Sequence, residues 1–310
     1  MAKYIFTNIL GSFVFDKERV IDRIEFKSVE DYNNKAEVEK NLIKKHSATA
    51  PQGDTLNSIL AHFKDKAYAE RFYYRNIELT AESLRNSVSK DNFIIQAISN
   101  IEDTDKVANI LVTRLREWYE LYFPEFSRSM ESHEKFIELI LSKTKEELLK
   151  EINLKEKSIG ADISKKDLQP MMDLAESAQQ LYGLKKKHTL YLDVMMETYC
   201  KNVRDLCGAL IAAKLIEHAK SLKSLAIMPS SAIQLLGAEK ALFRHLKTRA
   251  KAPKHGLLLN HPLVANAKPK LRGKAARHLA NKIAIAAKVD YNKGSYIADK
   301  LKKKLENELR

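Results

Sequence analysis

The chain has 310 residues, 45% of them hydrophobic and 30% charged, with 9 Gly, 7 Pro and a net charge of +14. That length exceeds one ordinary domain, and the composition excludes a disordered or fibrous chain, so two or three mostly helical folding units are expected. Two cysteines, Cys200 and Cys207, exclude a disulfide framework and fit a reducing compartment. No stretch approaches the ~18 apolar residues of a membrane span, so no membrane partner is expected.

Residues 3 to 27 read as a small antiparallel sheet. Tyr4, Phe6 and Asn8 alternate with Ile5, Thr7 and Ile9, Gly11-Ser12 punctuates, and Phe13-Val14-Phe15 and Val20 to Phe26 continue the period of two. Ser28-Val29-Glu30-Asp31 then reads as a capping box opening a charged helix to about Lys45, with more helix from about Leu56 to Val88. From Asp91, apolar residues recur at three- and four-residue spacing through Val107, Ile110, Leu111, Leu115 and Trp118. Phe123-Pro124 stops this helix, which puts the first domain at 1–124 and Trp118 in a core.

Residues 125–227 carry a seven-residue repeat. Its a positions are Leu168, Ala175, Tyr182, Thr189, Met196, Val203 and Leu210, and its d positions are Met171, Ala178, Lys185, Leu192, Tyr199, Leu206 and Ala213. All but Thr189 and Lys185 are apolar, so a long coiled-coil seam is expected, capped at Asp167 and tolerating Pro170 in its first turn. An amphipathic helix over 131–152, joined by a turn at 157–162, is the expected partner in an antiparallel hairpin. Gly183 and Lys185 mark either a polar layer or a tip, and the two cysteines read as buried packing residues.

Met228-Pro229-Ser230 ends this region, and Ser231 to Gln234 reads as a capping box opening a third domain, 228–310. From Gly237 to Arg310 there are 19 Lys+Arg against 5 Asp+Glu, so this quarter of the sequence holds the whole net charge of +14 and the remainder is neutral. A charge excess confined in this way is the footprint of a polyanion, with nucleic acid the leading candidate. Gly237-Ala238-Glu239-Lys240 opens a helix whose Lys240, Arg244 and Lys247 share a face, and a glycine there lets backbone N–H groups approach a phosphate. Arg249, Lys251, Lys254 and His255 follow in a loop, and Lys274 and Arg277 stand on a last helix from Gly273 to about Val289, with Lys300 to Arg310 expected as a frayed tail. His245, His255, His261 and His278 have no Cys, Asp or Glu at metal-ligand spacing, which favours stacking, hydrogen bonding or capping over a metal site. No phosphate-binding loop, dinucleotide fingerprint, nucleophile elbow or zinc-protease motif occurs, so neither catalysis nor a cofactor is expected.

The stretches Gly237 to Phe243, Asn260-His261-Pro262-Leu263-Val264, Gly273-Lys274-Ala275-Ala276-Arg277 and Val289-Asp290-Tyr291 together resemble the Nop domain of box C/D ribonucleoprotein scaffold proteins. Ile94 to Ile98 and Arg114 to Glu125 resemble the N-terminal signature of the same family, so the likeness covers nearly the whole chain. It implies a mainly α protein with three parts: a small α/β N-terminal domain that binds the methyltransferase fibrillarin, a long antiparallel coiled-coil hairpin that pairs two scaffold chains, and a helical basic Nop domain. That last domain would grip a kink-turn-binding, ribosomal-protein-like subunit together with box C/D guide RNA, and the complex would direct RNA 2′-O-methylation. By the same resemblance Gly237, Ala238, Glu239 and Lys240 lie at the RNA and subunit contact, with Arg244, Lys247, Asn260, His261, Lys274 and Arg277 nearby. The sequence given has no lysine-rich extension of the eukaryotic kind, which makes the archaeal form the closer likeness and a cytoplasmic location the expectation, nucleolar in a eukaryote.

Two alternatives stand beside this reading. One is a general structured-RNA-binding or chaperone-like protein with no methyltransferase partner. The other is an enzyme using His245 or His261 as a general base.

Overall fold

The computed structural model describes residues 2–17, 19–152, 158–248 and 250–309. The chain divides into two compact units, Met1–Ser89 and Lys90–Arg310.

In the first unit β1 (Lys3–Asn8), β2 (Gly11–Asp16) and β3 (Arg19–Glu25) form an antiparallel sheet in that order. Lys3 pairs with Asp16 and Gly11 with Glu25, and the register shifts at Val14/Phe15. Alternation sends Phe13 and Phe15 into a cluster with Leu10, Ile59 and Phe63, while Val14 joins Ile5, Leu42 and Ala48 on the opposite face. Both faces of β2 are therefore covered, which is why its five residues Gly11 to Phe15 are all buried. Gly11 is required: a Cβ there would lie 2.4 Å from the Ile24 carbonyl oxygen. Ser28 forms the expected capping box with Asp31, but α1 (Val29–Asn33) is short and Asn34 separates it from α2 (Lys35–His46). The helices α3 (Gly53–His62) and α4 (Lys66–Ser87) complete the unit.

The second unit begins with α5 (Lys90–Tyr119), so the expected boundary at 124 falls inside it. The reason is packing: Ile94, Ile98 and Ile101 share a core with residues as distant as Leu215 and Leu279. Four helices follow, α6 (Pro124–Ser129), α7 (His133–Ser142), α8 (Lys145–Glu151) and α9 (Lys165–Tyr199). The 35-residue α9 runs antiparallel to α5. Leu192 and Met196 near its end meet Ile94 and Ile98, and Met171, Ala175, Ala178 and Tyr182 near its start meet Val112, Leu115 and Tyr119. The long hairpin therefore exists, but its second arm is α5; the 131–152 segment instead folds as α7 and α8 over the end where α5 finishes and α9 begins. Ser164, not Asp167, supplies the N-cap of α9, its hydroxyl accepting from the Asp167 N–H.

The seam is also shorter than seven heptads. Helix α9 ends at Cys200, α10 (Lys201–Cys207) follows, and Gly208 at φ 82° turns the chain into α11 (Ala209–Ala219). That backbone region is open to glycine almost alone, so the apolar period continues where the helix cannot. Lys185 is the polar layer of the hairpin, ion-paired with Asp105 of α5. Trp118 is not core: it is 38% exposed and Val107 and Ile110 are more exposed still, because the stripe of α5 that meets α9 is Ala97, Ile101, Ala108, Val112, Leu115 and Tyr119. Both cysteines are buried and unpaired, with desolvation pushing the Cys207 thiol up to about 12.

The rest of the unit is α12 (Leu222–Ile227), α13 (Ser230–Leu235), α14 (Glu239–Thr248), a 3-10 turn over Leu257–Asn260, α15 (Pro262–Ala265), α16 (Arg272–Tyr291) and α17 (Ala298–Leu309). Pro229 begins α13 with no side-chain cap, so the expected capping box at Ser231 does not form. The segment beyond Lys300 is no frayed tail: Leu301 and Leu305 join the core, and Glu308 binds both His278 at 2.7 Å and the buried Lys282 at 2.5 Å. A boundary at 227 has no counterpart either, since α10, α11, α12 and α16 share one core. Two polar joints hold it. The Asp91 carboxylate accepts the Leu222 N–H, and Asp290 accepts the Asn202 amide and the Val203 N–H, while the Asn202 side-chain oxygen accepts from Ile297 and Ala298. Burial raises the pKa of Asp290 against these donors. Among the described residues no helix is long and apolar enough to cross a membrane.

Candidate nucleic-acid interface

Gly237 sits at φ 81°, and a Cβ on it would lie 2.6 Å from the Leu257 side chain, so only glycine permits both the turn and the approach of the 3-10 segment. The expectation that its N–H faces a phosphate is not met. The Gly237 N–H donates to Glu239 at 2.7 Å, and the Ala238 N–H is taken by the Leu235 carbonyl. Glu239 also holds the His218 ring at 3.1 Å. Burial would raise the Glu239 pKa, but the Gly237 and Glu239 backbone donors and His218 together hold it below the usual carboxylate range. The chain's own carboxylate thus occupies the positive end of α14.

Beyond that turn α14 buries nothing. Lys240, Arg244 and Lys247 are exposed on one face, and Phe243 and Leu246 are 63% and 69% exposed beside them. The helix thus presents an apolar stripe between cations that the chain's own core leaves uncovered.

The 251–256 loop is pinned back to this turn. The Gly256 N–H donates to the Gln234 carbonyl at 3.0 Å, and the Gln234 side chain donates to the Lys254 carbonyl at 2.6 Å. Gly273 lies against the Lys254 stem, where a Cβ would come within 3.3 Å. These interactions assemble a cleft of about 530 Å³ lined by Gln234, Pro253, Lys254, Lys270, Gly273, Lys274, Arg277 and His278. Its lining holds four formal cations and no carboxylate.

Of the residues expected from sequence, Lys254, Lys274 and Arg277 therefore meet in one cleft. Lys240, Arg244 and Lys247 form the separate ridge of α14. Lys251 is exposed and His255 half-buried on the connecting loop, and Arg249 lies outside the described residues. Asn260 faces a different groove, with Leu190 and Leu210. His261 is buried and structural: its ring accepts the Leu263 N–H at 3.2 Å and caps α15. Desolvation lowers its pKa, with Lys302 adding to the effect. His245 bonds the Ala250 carbonyl and closes the end of α14. His278, read from the sequence as a stacking or hydrogen-bonding residue, also lines the cleft, and Lys270 joins it without a signal in the sequence, since nothing in its spacing from Lys254 betrays the approach. Among the described residues no cluster of His, Cys, Asp or Glu could hold a metal ion.

The family model described as "Nop: snoRNA binding domain, fibrillarin" matches residues 100–310. An uncharacterised NOP5 family protein of Methanocaldococcus jannaschii is 41% identical over 254 residues, covering 77% of this chain and 61% of that one. The chain belongs to the Nop family. Nucleolar protein 56 and nucleolar protein 58 of Schizosaccharomyces pombe are 37% and 38% identical, covering 64% and 68% of this chain and 44% and 45% of their own lengths. The chain thus spans between about two fifths and three fifths of these curated relatives. A solved structure titled as a fibrillarin/Nop5p complex aligns over 98% of both chains at 21% identity with a TM-score of 0.45, a likeness too distant to carry an argument. The Nop match begins within α5, which places that helix with the second unit, as the packing does.

Proposed function

We propose that this Nop-family chain is a scaffold of a box C/D guide ribonucleoprotein, binding guide RNA and its kink-turn subunit through the second unit and a fibrillarin methyltransferase through the first. The observation that carries it is the carboxylate-free cleft of Lys254, Lys270, Lys274 and Arg277 beside the exposed ridge of α14. Cations attract phosphates without reading sequence. A surface combining them with exposed Phe243 and Leu246 suits a composite of RNA backbone and protein better than naked duplex, whose A-form major groove is too deep and narrow to read. No step of catalysis is assigned to this chain; the methyl transfer belongs to the partner.

The hairpin supports a pairing role. Val107 and Ile110 of α5 and Leu190 and Val194 of α9 are 47% to 69% exposed, apolar surface that a second copy of the chain would cover. In this reading the complex works in the cytoplasm of an archaeon or the nucleolus of a eukaryote.

Titration of the full chain against box C/D RNA, with and without its kink-turn subunit, is the test. Tighter binding to the RNA–protein composite at matched salt is expected. Equal affinity for both would favour the general RNA-binding alternative.

A further inference from the structure

A second cleft lies on the other side of Lys274. It encloses about 470 Å³ and is lined by Pro262, Leu263, Asn266, Ala267, Lys268, Leu271, Lys274 and Ala275. Its character is unlike that of its neighbour: aliphatic walls, one carboxamide, two lysines and no carboxylate. One wall is fixed in place. The Arg272 guanidinium donates to the Ala267 carbonyl from Nε and to the Ala265 carbonyl from Nη2, both at 3.2 Å, which clamps the 265–267 segment to the start of α16. Arg272 thereby serves shape rather than a ligand, and the cleft is preformed.

Two adjoining clefts that share one lysine, the first cationic and the second apolar, match the two halves of a nucleotide. We propose that the Leu263/Leu271 cleft receives a single unpaired nucleobase of the bound RNA, its flanking phosphates held by Lys274 and Lys268. Leu263 and Leu271, 38% and 51% exposed, cover the base faces, and Asn266 offers both a donor and an acceptor to a base edge. The volume falls in the range that small-ligand sites occupy. A protein side chain would fill aliphatic walls equally well, but it would give no reason for two lysines and an adjoining cluster of cations without a carboxylate among them. The preference is for unpaired RNA, because a base inside a helix cannot reach a cleft in a protein surface. This inference rests on the RNA-binding reading above and adds to it a site that reads a base where the first cleft holds only phosphate.

The experiment uses the full chain and two short single-stranded RNAs of equal length, one natural and one with abasic nucleotides that keep every phosphate. Natural RNA is expected to bind tighter by on the order of tenfold, about what removing one base's apolar faces from water between aliphatic side chains is worth. Leu271→Ser and, separately, Leu263→Ser should each reduce that advantage severalfold while leaving affinity for abasic RNA and its salt dependence unchanged. Both side chains are partly solvent-exposed, and thermal melting checks that each variant is folded. Lys254→Ala with Arg277→Ala should weaken both RNAs alike, which reports on phosphate binding alone. Equal affinity of the wild type for the two RNAs overturns the nucleobase cleft and leaves the RNA-binding reading standing. Failure to bind either RNA overturns both. Loss of kink-turn-subunit binding in the leucine variants, with RNA discrimination intact, overturns the cleft as an RNA site and assigns it to protein.

Discussion

His261 shows how a residue that looks chemical in sequence becomes structural once its surroundings are known. Its ring nitrogen must stay unprotonated to accept the Leu263 N–H, and burial already disfavours the charged form. A histidine whose folded pKa lies below its unfolded value binds fewer protons in the native state. Its contribution is therefore complete above the unfolded pKa near 6.5 and is lost as pH falls below it towards the depressed folded value. His261→Asn keeps a capping oxygen, so melting temperature measured from pH 8 to pH 5 should fall less for that variant than for the wild type. His133, whose pKa burial also lowers, should leave a residual acid sensitivity in both. Gly208 permits a cleaner forecast, because a Cβ there would touch nothing within 4 Å and only its φ of 82° is at stake. Gly208→Ala should cost about 1–3 kcal/mol in denaturant unfolding, the strain of a backbone region open to glycine almost alone. At Gly237 the same change adds a clash with Leu257, which sequence alone cannot disclose; the pattern points to a phosphate, and the Gly237 N–H instead meets Glu239.

At the scale of elements, periodicity identifies the sheet, the long helices and the hairpin but misassigns their partners. The heptad positions Met171, Ala175, Ala178, Tyr182, Leu192 and Met196 are buried as expected, since a repeat of 3.5 residues fixes the inward face whatever the partner. The partner is hidden because α5 presents small residues, Ala97 and Ala108, to α9 and turns the larger Trp118 and Ile110 outward, so hydrophobicity selects the wrong stripe. The break at Cys200 and Gly208 is hidden because Val203, Leu206 and Ala213 stay in phase across it. Leu192 of α9 is fully buried against α5 and the larger core. Leu192→Ala should therefore cost about 2–5 kcal/mol in equilibrium unfolding, as large-to-small core changes do. Truncating the exposed Val194 to Ala should leave monomer stability within about 0.5 kcal/mol. Sedimentation of Val194→Asp with Leu190→Asp would show whether that outward face pairs two chains, the expected result being a shift from two chains to one.

The whole molecule separates a nearly neutral unit from one that holds almost all of the basic balance, and charge is the most legible feature of the sequence because it requires no fold to count. What it does not give is place: Lys254, Lys270, Lys274 and Arg277 meet where α16 closes on the Lys254 stem beside Gly273. The division at Ser89 makes residues 1–89 the fragment to test for methyltransferase capture without RNA, where 1–124 would carry α5 stripped of α9. Binding of fibrillarin that survives deletion of 1–89 would move the partner site elsewhere. The central claim, that the basic surface of the second unit holds RNA by its phosphates, is tested most directly by the salt dependence of RNA affinity. Replacing Lys240, Arg244 and Lys247 together with Ala in the full chain should lower the log–log slope by about 2 to 3, at about 0.7–0.9 for each phosphate no longer neutralised. An unchanged slope with unchanged affinity would show that the ridge of α14 touches no RNA and would contradict the account.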